Sequence, residues 1–216
     1  MAAAFTAKMT APAALPVTFP SWLRWSAVLW LAIWVPAYWR TWGPANFLHL
    51  CDIAVVLVCF GLLTNSALLL SSQAVGSLLV DVAWMLDAAW HLARGHGLLG
   101  GADYLFDTSY PLWVRLLTLF HVAMPLLLLW ALTRTGYDLR GWLLQCAIAL
   151  AAFVAARFTS ASENINYAFQ DPFIHRAWGP GPAHVLISWL FMAIAVYLPT
   201  HMALRAIFRM KPAQMR

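Results

Sequence analysis

Three aspartates stand in the middle of apolar sequence. Asp52 lies in CDIAVVLVCFGLL, and Asp81 and Asp87 lie in SLLVDVAWMLDAAWHLA, with His49 and His91 close by. The chain carries 8 acidic residues in all, so these three are a large share of its acid. A carboxylate inside a membrane span costs several kcal/mol and faces a cavity, a partner or a site. Spacing sharpens the group. Asn46, His49 and Asp52 recur every three residues and form a polar edge at a helix start, while Asp87 and His91 are four apart, one above the other. Helical bundles build metal sites from carboxylates and imidazoles projecting inward from facing helices. His49, Asp52, His91, His121 and His184 are the candidate ligands, a set that suits zinc, iron or manganese. A metal held there would activate water or oxygen, and Asp87 or Glu163 would move the proton as the catalytic carboxylate. Haem between His91 and His121 or His184 ranks lower, because the spacing shows no facing pair.

Two segments carry candidate binding groups. ENINYAF, Glu163 to Phe169, offers Asn164 and Asn166 to a headgroup or sugar, and Arg157 just before it suits a phosphate or carboxylate. Asn46 joins them from the polar edge. The stretch ARGHGLLGGADYLFDTSY, with Asp103 and Asp107, reads either as a glycine-hinged re-entrant lid over the site or as a plain loop. Asp81 is six residues deeper than Asp87 and faces about 120° away from it. It pairs with an arginine, stays protonated through burial, or serves a proton relay. The plainer reading of any one such residue is interhelical glue, since membrane bundles join helices with polar side chains.

Stepping outward, the elements that must position these groups are helical and lipid-embedded. The chain is 63% hydrophobic and 10% charged, against about 25% charged in soluble domains. That composition predicts an all-α integral membrane bundle. Six spans are expected, at roughly 22–40, 46–64, 66–92, 111–133, 140–159 and 180–208. They make one transmembrane domain over 22–208, between an N-terminal tail, 1–21, and a basic C-terminal tail, 209–216. Pro36, Pro125 and Pro199 fall inside spans and should kink them. The 13 tryptophans favour span ends. The three cysteines lack CxxC spacing and read as buried hydrophobes. No basic run or basic–aromatic motif points to nucleic acid, so the expected partners are membrane lipids, a second copy of the chain or a larger membrane complex. Lysine and arginine placement favours both termini inside a bacterial inner membrane.

On that topology seven of the eight acids, and all histidines except His201, share the outer half. Below Asp81 the sequence offers little beyond Thr64, Ser66, Ser71, Ser72, Gln73 and Gln145. A polar site closed at its inner end favours an enzyme acting on a lipid or other membrane-soluble molecule. The alternatives are a small ion- or proton-coupled transporter or channel, and an accessory subunit of a membrane complex.

The run NFLHLCDIA, DVAWMLD, DYLFD, LFHVAMPLLLLW, GYDLRGW, ENINYAF and YLPTH resembles a family of bacterial polytopic inner-membrane proteins labelled only as membrane-associated. The resemblance covers about residues 38 to 205 and implies a multi-span architecture without an activity. A looser similarity in site style is to the alkaline ceramidase-like membrane hydrolases, which hold zinc with histidines and an aspartate. Asp87-x-x-x-His91 reverses the order of their element, and six spans are expected here where that group has seven.

Overall fold

The computed structural model describes residues 18–209, and most of the N-terminal tail and the end of the C-terminal tail lie outside them. The chain is 74% helix with no strand among the described residues. Eight α-helices follow one another: α1 Ser21–Trp42, α2 Leu50–Thr64, α3 Ala67–Arg94, α4 Leu112–Leu117, α5 Phe120–Thr135, α6 Gly141–Ala156, α7 Gly181–Phe191 and α8 Leu198–Arg209. α4 and α5 together form one apolar stretch, and so do α7 and α8 with the π-helical turn Met192–Tyr197 between them. Pro199 accounts for that turn: lacking an N–H, it leaves the preceding carbonyls without their usual partner.

Three stretches are long and apolar enough to cross a membrane: Ala67–Arg94, Leu112–Thr135 and Gly181–Phe208. α2 and α6 are apolar but only 15 and 16 residues long, about 23 Å of helix. Helices therefore occupy all six expected positions, and three of them meet the criteria for a full crossing.

α3 is the spine. It packs against α2, α5, α6 and α8, and local chemistry sets both its ends. Asn65 takes the left-handed conformation that closes α2, and Ser66 Oγ accepts the Leu69 N–H as the cap of α3. Gly95, at φ 78°, ends α3 with its N–H on the His91 carbonyl. One end of the bundle carries the 43–49, 95–111 and 157–180 connections, here the loop end. The other, the hairpin end, holds the Asn65 turn, the 136–140 turn and the end of α8.

Close approach is needed where α6 meets α3. A side chain on Gly141 would strike Ser71, and one on Gly76 would occupy the space of the Gln145 carboxamide. The core between these helices is apolar and aromatic, with Trp34, Leu70, Leu128, Leu132, Phe153 and Tyr197 among its buried members.

Candidate functional site

Most of the polar residues at the loop end fold the loops. Asp87 accepts three backbone N–H groups, from Leu98 and Leu99 at 2.6 Å and from Ala102 at 2.8 Å. The carboxylate is thus consumed in pinning the glycine-rich segment to α3, which does not suit the proton-moving role expected of it. The segment is a structured cap rather than a plain loop. Asp103 in it meets His91 Nδ1 at 2.8 Å, and the His91 ring stacks on Phe106 at 3.9 Å. Asp107 is exposed and accepts the Ser109 N–H, a contact that lowers its pKa. Glu163 is exposed on the other connection.

The ENINYAF groups likewise hold the chain to itself. Asn166 reaches across 116 residues to accept the Leu50 N–H at 3.0 Å and donates to the Leu48 carbonyl at 2.7 Å. It supplies the first turn of α2 with a partner that His49, its neighbouring residue, does not provide. Asn164 accepts the Phe169 and Gln170 N–H groups and donates to the Gln170 carbonyl. Both asparagines sit at positive φ, 44° and 52°, which asparagine tolerates better than most residues. Arg157 donates to the Ala168 carbonyl and lies 4.2 Å over the Phe169 ring. Asn46 donates to Asp52, which is buried. Asn46, Arg157, Asn164 and Asn166 therefore brace the loop end.

The expected metal ligands do not gather. Among the described residues, no three His, Cys, Asp or Glu side chains stand close enough to share a metal ion. His184 shows why. Its Nδ1 accepts the Trp178 N–H at 3.1 Å and its Nε2 donates to the Tyr167 carbonyl at 2.9 Å, so both ring nitrogens are used. His91 is engaged with Asp103, Asp52 with Asn46, and His121 with Asp81. His49 stands just before α2, half-buried. The spacing of Asp87 and His91 put them on one face as expected, but His121 lies level with Asp81, six residues further along α3.

What α3 and α5 do bring together is a dyad. His121 Nδ1 and Asp81 Oδ1 are 2.7 Å apart, with the side chains 4% and 0% exposed. The pair lies near the middle of α3, roughly 20 Å of helix from each end. The Trp84 indole stacks on the His121 ring at 4.7 Å, and Phe120 lies at 4.2 Å. With Nδ1–H donating to the carboxylate, the imidazole orientation and tautomer are set, and Nε2 is left as a base. Nε2 makes no hydrogen bond to the described residues. Towards the loop end, Trp84 Nε1 donates to the Tyr104 hydroxyl at 2.8 Å. Burial, then Cys51, Asp52 and Asp81 nearby, push the Tyr104 phenol well above its usual range.

Towards the hairpin end lie the few polar residues the sequence offers below Asp81, joined by Ser77. Ser77, Gln73, Ser72 and Ser71 are all buried along α3. Gln73 Nε2 donates to Ser72 Oγ at 2.9 Å and to Gln145 Oε1 of α6 at 3.3 Å. Ser71 Oγ accepts the Asp138 N–H, and beside it the Tyr137 hydroxyl meets His201 Nδ1 at 2.6 Å. Burial and the Asp138 charge push the Tyr137 phenol up to about 12. Asp81, Ser77 and Gln73 recur every four residues, one stripe of α3. That periodicity was available in the sequence, and Ser77 is the member a search for ionisable groups passes over.

The three apolar stretches and the all-helical fold are compatible with a membrane protein. Compared with family models, curated proteins and solved structures, the chain finds no match.

Proposed function

We propose that this is a small proton-handling membrane transporter, with Asp81 and His121 as the group that takes up and releases the proton. The observation that carries this reading is the buried polar file on α3. It runs from the Asp87-pinned cap, past the dyad, to the Tyr137–His201 pair at the opposite end. A helix that must sit among apolar neighbours gains nothing from such residues unless they are paired or used. A carboxylate and an imidazole in contact can share a proton and pass it on. In this reading six helices cross or line a bacterial inner membrane with both termini inside, so the Gln73–Gln145 pair guards the inner approach.

The test is proton flux in proteoliposomes loaded with a pH-sensitive dye, under an imposed potential. Wild type should acidify or alkalinise the lumen with the sign of the potential. Asp81→Asn and His121→Asn should each abolish the flux while leaving reconstitution intact. Flux that persists in both variants overturns the assignment.

One observation favours a second reading. An imidazole oriented by a carboxylate and left with Nε2 unbonded is also the arrangement of a general base. An enzyme acting on a membrane-soluble substrate would use it so. Turnover of a lipid in the absence of any flux would select that reading.

A further inference from the structure

Where α1 begins, a cation stands without its anion. Phe19 donates its N–H to Asn65 Oδ1 at 2.8 Å, which ties the start of α1 to the turn that ends α2. Beside this tie runs a groove of about 230 Å³, lined by Ser21, Arg24, Trp25, Val28 and Leu63. Elsewhere Arg115 and Arg157 donate to backbone carbonyls, and Arg140 pairs with Asp138. Arg24 has no such partner among the described residues. Its Nε is shut off from solvent and makes no hydrogen bond, and no acid stands in the first turn of α1. Arg205 on α8 also has an unbonded, buried Nε, but it lines no such groove. α1 opens on Pro20 without a side-chain cap, so its first N–H groups add to the positive potential at Arg24.

The groove does not stop at the arginine. It shares Trp25 and Val28 with a shallow apolar channel of about 430 Å³ that continues along α1 past Leu29 to Ala32. Ser21 to Ala32 spans about 17 Å of helix, close to the ~15 Å that one leaflet contributes to a hydrocarbon core. Trp22 and Trp25, 67% and 71% exposed, flank the charged end, and indole rings favour the headgroup level. We infer that this groove binds one anionic phospholipid, with its phosphate on Arg24 and Ser21 and an acyl chain along Val28, Leu29 and Ala32. The N–H fork of a guanidinium matches the acceptor geometry of a phosphate. A free anion leaves the apolar channel unused. A zwitterionic lipid carries an ammonium that Arg24 repels.

The experiment is native mass spectrometry of the full-length protein in mild detergent, with phosphatidylglycerol and phosphatidylcholine supplied in equal amounts. Wild type should retain phosphatidylglycerol in preference to phosphatidylcholine. Arg24→Gln should weaken phosphatidylglycerol about tenfold, the loss of a charge-assisted hydrogen bond, and leave phosphatidylcholine unchanged. Ala32→Phe, on the exposed side of α1, fills the channel but keeps the charge and should weaken both lipids. Arg40→Gln, exposed at the far end of α1, should change neither. The melting midpoint gives an independent readout: added phosphatidylglycerol should raise it in wild type and not in Arg24→Gln. Equal loss in Arg40→Gln means charge attraction without a site. Displacement of the lipid by millimolar inorganic phosphate means a free-anion site. No lipid retained by wild type means a groove closed by residues 1–17 or by a second copy. Each of these three results overturns the assignment.

Discussion

Removing the Asp87 carboxylate should release the cap over the loop end. The Asp87→Ala variant loses three hydrogen bonds to a charged acceptor, those of Leu98, Leu99 and Ala102. Each such bond is worth about 1.5–3 kcal/mol net. Leu98 and Leu99 are exposed, so water replaces part of what they lose, whereas Ala102 is wholly buried and its N–H is left unpaired. About 4 kcal/mol of local stability is therefore at stake, close to a thousandfold in the opening equilibrium. Hydrogen exchange of the peptide covering 96–106, followed by mass spectrometry in nanodiscs, reads this opening directly. It should accelerate by about three decades in Asp87→Ala, with peptides of α5 and α6 unchanged. Asp87→Asn should fall between, because its carboxamide oxygen still serves two amides while its NH₂ faces the third. Exchange in 96–106 at the wild-type rate in Asp87→Ala would refute the assignment of this carboxylate to the cap.

Three further outcomes follow from other contacts. Asn166→Ala leaves the Leu50 N–H and Leu48 carbonyl unmet and puts alanine at positive φ, so the melting midpoint in detergent should fall by the equivalent of about 2–3 kcal/mol, with Asn166→Gly milder. Gly76→Ala should cost about 1–3 kcal/mol by displacing Gln145, and Gly76→Ala with Gln145→Ala should recover most of it in a double-mutant cycle of thermal unfolding. In the loop end, burial raises the Asp171 carboxyl, but the N–H groups of Ile174, Phe173 and Trp178 outweigh it and hold its pKa below the usual range. A depressed carboxylate stabilises the fold above its unfolded pKa of about 4, and that contribution is lost as pH falls through the lower folded value. Proteolysis of 171–178 should thus be flat from neutral pH to about 4 and rise below it, and Asp171→Asn should be cleaved alike at both pH values.

Helix positions were legible in the sequence because apolar length and turn chemistry determine them locally. Asn65-Ser66 marks a break that only a left-handed residue and a cap can make, and the structure turns there. The one-sided gathering of acids and histidines was legible as well, but its meaning was not. Whether Asn166 meets a ligand or the first turn of α2 depends on a contact spanning 116 residues, which no local pattern encodes. The candidate metal set failed to assemble for a related reason. Spacing of four aligned Asp87 with His91, but spacing says nothing about which residue of α5 lies level with which turn of α3. That register put His121 against Asp81.

Satisfaction of hydrogen bonds separates scaffold from site more sharply than residue type does. Asp87, His184, Asn164 and Asn166 are the residues that look most like chemistry, and each has its polar atoms spent on backbone partners. A group so saturated must break structure before it can act. Ser77 and Asp81 are instead buried beside one another in mid-helix, with no backbone group engaging Ser77 Oγ or the second Asp81 oxygen. Burying a polar atom unpaired costs about 1–3 kcal/mol, and native proteins leave few without cause. Both lie on one face of α3, four residues apart. If Asp81 and His121 are the proton-handling pair proposed above, the working part of the molecule lies in mid-span on α3, not in the loop end where its acidic and imidazole residues are most numerous.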